Sequence, residues 1–316
     1  MRGTLTRRSF LAATLAACPS VAYLKAATTS KAMGWKLGII TDEISENLEQ
    51  ALDFISHYSL GYCELRELWQ KNIMNLSPSE LDRAKSLVEQ HHLKVTDIGS
   101  PVFKYNLPQM PARKEKRDTF RADFTDRDTD HLLQESFKLA RFFGTRKVRI
   151  FSYWRVPQPE KAYPYVRDRL ANAAKLAGEN DILLILENEH ECNIGTGEEL
   201  GRIIRDVNSP HLRGNWDPGN AAMLHEIPYP NGYNHVKGLF AHMHIKDVKE
   251  GPGGKLEWAP VGGGFIDWKG QFEALRREHY EGDMALETHY RRPDGNKVES
   301  TRESLLGLFE VIKETA

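Results

Sequence analysis

Glu187, Asp217, His244 and Glu287 each close a short apolar run, at separations of 30, 27 and 43 residues. A spacing near 30 residues is the length of one strand–helix unit. The pattern therefore puts the four at the ends of successive parallel strands, where a barrel gathers them at one mouth. Three carboxylates brought that close repel one another unless a cation compensates them. A single divalent ion would do so. Mixed carboxylate and imidazole ligation suits Mn2+ first, then Mg2+, Co2+ or Fe2+, with Zn2+ less favoured. Such a ligand set leaves coordination positions open, as catalytic sites do. Taken singly, each residue reads more simply: a strand-end acid as a helix cap, a lone histidine as part of the core. The phase they share gives the set its meaning.

The elements that must position them can be read along the chain. Apolar runs expected to be strands are 35–40, 62–66, 93–98, 147–151, 182–186, 212–216, 239–244 and 284–286. The run 182–186 is wholly apolar, as a strand buried on both faces should be. Between them, 47–56, 79–91, 131–143, 272–277 and 304–312 carry helical patterning. In 79–91, Leu81, Ala84, Leu87 and Val88 share one helix face. Gly61 and Gly144 are placed as helix C-caps. Eight such units imply a single-domain (β/α)8 TIM barrel over 35–316, ahead of an open doubly wound sheet, since no G-x-G-x-x-G loop follows the first strand. Two long connections, 101–128 and the glycine-rich 249–268, follow strands three and seven and are expected at the active-site face, with the character of lids.

The N-terminus differs from the rest. Thr6-Arg7-Arg8-Ser9-Phe10-Leu11 is a twin-arginine pattern leading into an apolar run too short to span a bilayer. Residues 1–27 are read as a Tat-type signal and 28–34 as a linker, which makes the protein exported and periplasmic. Ser20-Val21-Ala22 has the form of a signal peptidase site. Leu15-Ala16-Ala17-Cys18 has the form of a lipobox, whose cysteine would carry a lipid anchor. No later segment is a transmembrane candidate. Cys63 and Cys192 have neither zinc nor redox spacing and are expected as buried free thiols. The formal charge of −1 gives no basic excess for nucleic acid. Homo-oligomerisation is left open.

Four segments carry a resemblance: Leu186-Glu187-Asn188, Trp216-Asp217-Pro218-Gly219-Asn220, His242-Met243-His244-Ile245-Lys246-Asp247 and Ala285-Leu286-Glu287-Thr288. Over roughly 35–312 the chain resembles the xylose isomerase-like TIM-barrel superfamily, which includes tagatose 3-epimerase-like enzymes, inosose dehydratase and endonuclease IV. The resemblance implies that Glu187, Asp217, His244 and Glu287 are metal ligands, and that Glu187 and Glu287 also move a proton on and off carbon. A metal chelated by a carbonyl and its neighbouring hydroxyl acidifies the C–H between them and supports an enediolate. Returning the proton to the opposite face epimerises, returning it to the adjacent carbon isomerises, and losing a β-substituent makes a lyase.

The leading expectation is therefore a metal-dependent carbohydrate isomerase or epimerase. The alternatives are a lyase or dehydratase acting on a keto-sugar or 3-keto-glycoside, and a non-catalytic exported sugar-binding barrel. Epimerases of the tagatose type carry a histidine and an arginine where this chain has Asn220 and Glu250. Lys246-Asp247 is closer to the inosose dehydratase branch. The third strand lacks the histidine of endonuclease IV. Lys246 is a candidate catalytic residue holding a substrate oxygen. Glu64, Arg66, Trp154, His190, Asn220 and His289 are candidate contacts to a small sugar or keto-sugar.

Overall fold

In a computed structural model, residues 35–108, 110 and 118–315 are described. The twin-arginine signal, the linker and Cys18 lie outside them.

Eight parallel strands close into a barrel: β1 (Lys36–Ile40), β2 (Tyr62–Leu65), β3 (Lys94–Gly99), β4 (Lys147–Ile150), β5 (Leu183–Glu187), β6 (Leu212–Trp216), β7 (Phe240–Ile245) and β8 (Asp283–Leu286). Each strand pairs with its neighbour in sequence, and β1 closes the ring on β8 with Lys36 opposite Asp283 and Ile39 opposite Leu286. This is the (β/α)8 barrel that the alternation predicts. The helices that cover it include α1 (Leu48–His57), α2 (Pro78–Gln90), α3 (Thr129–Phe142), α4 (Pro159–Glu179), α5 (Gly197–Val207), the short α6 (Pro218–Met223), α7 (Trp268–Arg277) and α8 (Lys297–Glu314). None of the described helices is long and apolar enough to cross a membrane.

The local sequence sets where these helices start. Ser77 and Glu80 form a reciprocal capping box ahead of α2 with Pro78 in its first turn, and Thr196 with Glu199 does the same for α5. Leu200, Ile203 and Ile204 of α5 fall at helical spacing and are buried. Each such side chain contributes roughly 1.5–3 kcal/mol when withdrawn from water. Cys63 and Cys192 are buried and free.

Two local expectations need correction. Gly144 does take the left-handed backbone that ends α3, with φ +77°. After α1 that conformation belongs to Ser59, at φ 57°, and not to Gly61. The glycine-rich stretch after β7 is also not a plain loop. Asp247–Glu250 pairs antiparallel with Leu256–Ala259, forming a two-stranded ribbon over the C-terminal face.

Candidate metal centre

Glu187 is the last residue of β5, Asp217 follows β6, His244 lies near the end of β7, and Glu287 follows β8. One atom from each falls within 4.8 Å of the others, and all four residues are buried. His244 is the hub. Its Nδ1 lies 3.3 Å from Glu187 Oε1, 3.6 Å from Asp217 Oδ2 and 3.1 Å from Glu287 Oε2. Its Nε2 points the other way, 3.0 Å from Glu64 Oε2. A histidine whose far nitrogen meets a carboxylate has its ring orientation and tautomer fixed, which is how metal-binding imidazoles are presented.

The segment Asp217-Pro218-Gly219-Asn220 shows how tightly sequence and site are coupled. Asp217 Oδ1 caps α6 by accepting from Asn220 N at 2.8 Å, so Oδ2 is left to face the site. Pro218 starts the helix without a donor to satisfy. At Gly219 a β-carbon would lie 2.4 Å from Lys246 Cγ, so a larger residue would displace that side chain. Asn220 Nδ2 donates to Glu187 Oε1 at 3.1 Å, and its Oδ1 lies 2.8 Å from His190 Nδ1.

A ring of buried cations surrounds the acids. Lys246 Nζ is 2.8 Å from Asp217 Oδ2 and 2.5 Å from Glu287 Oε2. Arg149 Nη1 is 3.1 Å from Glu187 Oε2. Arg66 pairs with Glu287 Oε1 and also reaches Asp42 at 2.7 Å and Glu43 at 2.9 Å. Burial alone would raise the Glu287 carboxyl, but Lys246, His289 and His244 outweigh it and hold the group well below the usual carboxylate range. For His244 burial works against the charged ring. Glu64, Glu187 and Glu287 overcome it and hold the imidazole well above its ordinary value.

The residues present fit a divalent ion. Asp217 Oδ2 has no exposed surface and accepts no well-formed hydrogen bond, despite the nearby ammonium. Three carboxylates and Nδ1 converge on the same space as a hard-to-borderline donor set.

A family model described as "Xylose isomerase-like TIM barrel" matches residues 52–310. The chain belongs to that family. Curated proteins yield no match. Among solved structures, the IolI protein with a bound zinc atom is 19% identical with a TM-score of 0.68, covering 89% of this chain and 99% of that one. The probable 3-DHS dehydratase AsbF from Bacillus anthracis is 16% identical, with TM-score 0.65 and coverages of 84% and 97%. The 3-keto-D-glucoside 4-epimerase YcjR from E. coli is 17% identical, with TM-score 0.62 and coverages of 87% and 99%. At these identities the likeness speaks for the barrel and not for a reaction.

Within this family member, the candidate residues are placed as follows. The four candidate ligands and Lys246 meet in one cluster. Arg66 and Asn220 touch the cluster's glutamates and are buried, as the candidate ligands are. Glu64 has no exposed surface and sits behind His244, with Oε2 3.0 Å from its Nε2. Trp154 is 5% exposed, and its backbone forms an isolated antiparallel β-bridge with Cys192. His190 and His289 do stand at the mouth, with 27% and 28% of their side chains exposed.

Sequence reasoning missed Arg149, Asp42, Glu43 and Trp258. An arginine at the third position of the run Lys147-Val148-Arg149-Ile150 was a usable signal. A charge inside a buried strand demands a partner.

Proposed function

We propose that the protein is a divalent-metal-dependent carbohydrate isomerase or epimerase, working on an α-hydroxycarbonyl sugar through an enediolate. The observation that carries this reading is the convergence of His244 Nδ1 with one oxygen each of Glu187, Asp217 and Glu287 in a buried space. A bound divalent ion, Mn2+ in the first instance, would polarise a carbonyl and its neighbouring hydroxyl and acidify the C–H between them.

The chain supplies the rest. Glu187 and Glu287 come from β5 and β8, three strands apart, so their carboxylates approach a bound sugar from different sides. One removes the carbon-bound proton and the other returns it. Arg149 and Arg66 each hold the remote oxygen of one glutamate, which fixes its direction. Lys246, buried and held cationic by Asp217 and Glu287, stabilises negative charge developing on a substrate oxygen. Its pKa, raised beyond its usual range, makes it an electrostatic partner and a poor proton donor.

A second reading, elimination of a β-substituent from a keto-sugar or 3-keto-glycoside, is favoured by His289. Its Nε2 has no hydrogen-bond partner and lies 3.3 Å from Glu287 Oε1, where it could protonate a leaving oxygen.

The test is incubation with free ketoses and with 3-keto-glycosides in deuterated water, with Mn2+ and then with chelator. Deuterium on carbon with an intact glycoside supports the isomerase and sinks the lyase, and aglycone release without epimer does the reverse. Activity indifferent to chelator, with no metal found by elemental analysis, overturns both readings. A non-catalytic sugar-binding barrel would show binding without turnover. The twin-arginine pattern at Arg7-Arg8 makes the substrate an extracytoplasmic sugar. Replacing both arginines by lysine should leave the protein in the cytoplasm.

A further inference from the structure

The candidate ligands expose almost nothing: Glu187 is 1% accessible, Asp217 and His244 0%, and Glu287 2%. Any substrate must therefore first meet the side chains above them. One of them is Trp258, which comes from the ribbon between β7 and α7. It is only partly buried, and its ring centroid lies 5.0 Å from that of His289 and 5.9 Å from that of His190. Lys246 Nζ lies 5.3 Å from the same indole centroid, so the ring stands directly over the acid–ammonium cluster.

The ribbon is held firmly enough to place that ring. Asp247 sits at its base, fully buried, and accepts from the backbone N–H groups of Val248, Gly262, Gly264 and Ile266. At Gly264 a β-carbon would fall 2.2 Å from Asp247 Oδ1, so the loop can close on the carboxylate only with glycine there. The two flanking imidazoles add polar edges. His190 Nδ1 is engaged by Glu189 and Asn220, and the buried His289 Nε2 lies 3.3 Å from Glu287 Oε1.

An aromatic face carries negative charge and attracts the weakly positive C–H groups of a sugar. A pyranose chair shows such a face as a flat patch of C–H bonds with hydroxyls at its edge. An open-chain sugar shows no flat patch and loses rotational freedom on being held. We propose that Trp258, edged by His190 and His289, is a stacking subsite for a closed sugar ring, so that the substrate is a pyranoside bearing its carbonyl on the ring and not an open-chain ketose. This rests on reading the cluster beneath as a site for sugars.

The test uses the full chain with methyl β-D-glucopyranoside as closed-ring probe and D-glucitol as open-chain probe, followed by calorimetry and saturation-transfer NMR. Neither carries a carbonyl, so binding is read without turnover. The pyranoside's C–H protons should be saturated. Its affinity should fall about tenfold in Trp258→Ala and less than about threefold in Trp258→Phe. Glucitol should bind more weakly and be indifferent to both changes. Pyranoside affinity that is absent, or equal in the wild type and Trp258→Ala, overturns the subsite. So does glucitol binding that depends on Trp258 to the same degree. Metal content measured on the same samples separates the two layers. Stacking without metal uptake sinks the proposed reaction and leaves the subsite, whereas metal uptake without Trp258-dependent binding does the opposite.

Discussion

His244 lies between carboxylates of two kinds, three that face a candidate ion and one, Glu64, that holds the ring from behind. Removing the rear acid while keeping its shape should weaken metal binding without deleting a ligand. Glu64→Gln is expected to lose about 10–100-fold in Mn2+ affinity by isothermal calorimetry. An unchanged affinity would show that the imidazole is oriented by its neighbours alone. A second consequence concerns protons. The acids hold His244 above its ordinary pKa, so an arriving ion competes with a proton for the ring. Uptake should then release about one proton and tighten as pH rises, measurable by repeating the titration in buffers of different ionisation enthalpy. At this scale the four candidate ligands were legible because their spacing repeats the barrel period. The charges around them were not. Arg66 and Arg149 meet the glutamates across as many as 221 positions of sequence, and only closure of the ring brings them together.

Among the elements, the ribbon over the mouth departs furthest from its reading as a loop. Its composition, rich in glycine and charge, hides the fact that Val248 opposes Trp258 and Asp247 opposes Ala259. Its anchor makes a direct prediction. Asp247→Ala removes the acceptor for four backbone N–H groups, so hydrogen exchange should accelerate over 247–266 while the barrel strands stay protected. Uniform loosening of the whole chain would instead mean that Asp247 supports the barrel. The close approach of α8 offers a second check. A β-carbon on Gly307 would lie 1.8 Å from the Val261 carbonyl oxygen, so Gly307→Ala should cost on the order of 2–3 kcal/mol in urea unfolding. Strand positions were readable to within a residue or so, since each is a compact apolar run. The first two turns of α8 were not, because Lys297-Val298-Glu299-Ser300 carries little apolar signal. Neither α4 nor α5 was singled out.

Across the whole molecule, the seam where β1 meets β8 carries an unusual load of charge. Glu43, just past β1, bonds to Arg66 after β2 and to Arg291 after β8, and accepts from the His289 backbone. Burial would raise its carboxyl, but His289, Arg66 and Arg291 outweigh that and bring it down to about 2 from 4.5. A depressed carboxyl stabilises the fold fully above pH 4.5 and loses that contribution as pH falls toward 2, on the order of 3 kcal/mol in all. Urea midpoints of wild type and Glu43→Gln should therefore converge between those pH values, whereas a constant gap would assign the effect to packing. The eightfold alternation announced the ring, yet the pairing of Lys36 with Asp283 that closes it depends on ends 247 residues apart. The same seam has a bearing on how the protein is made. Glu187, Asp217, His244 and Glu287 come from the second half of the chain, while Glu64, Arg66 and Arg149, which hold three of them in place, come from the first. Neither half owns a finished socket. On the proposed metal-binding reading, ion capture would report ring closure, silent in an unclosed chain and switched on by the last strand to dock, and a refolding experiment followed through a metal indicator would time that final step.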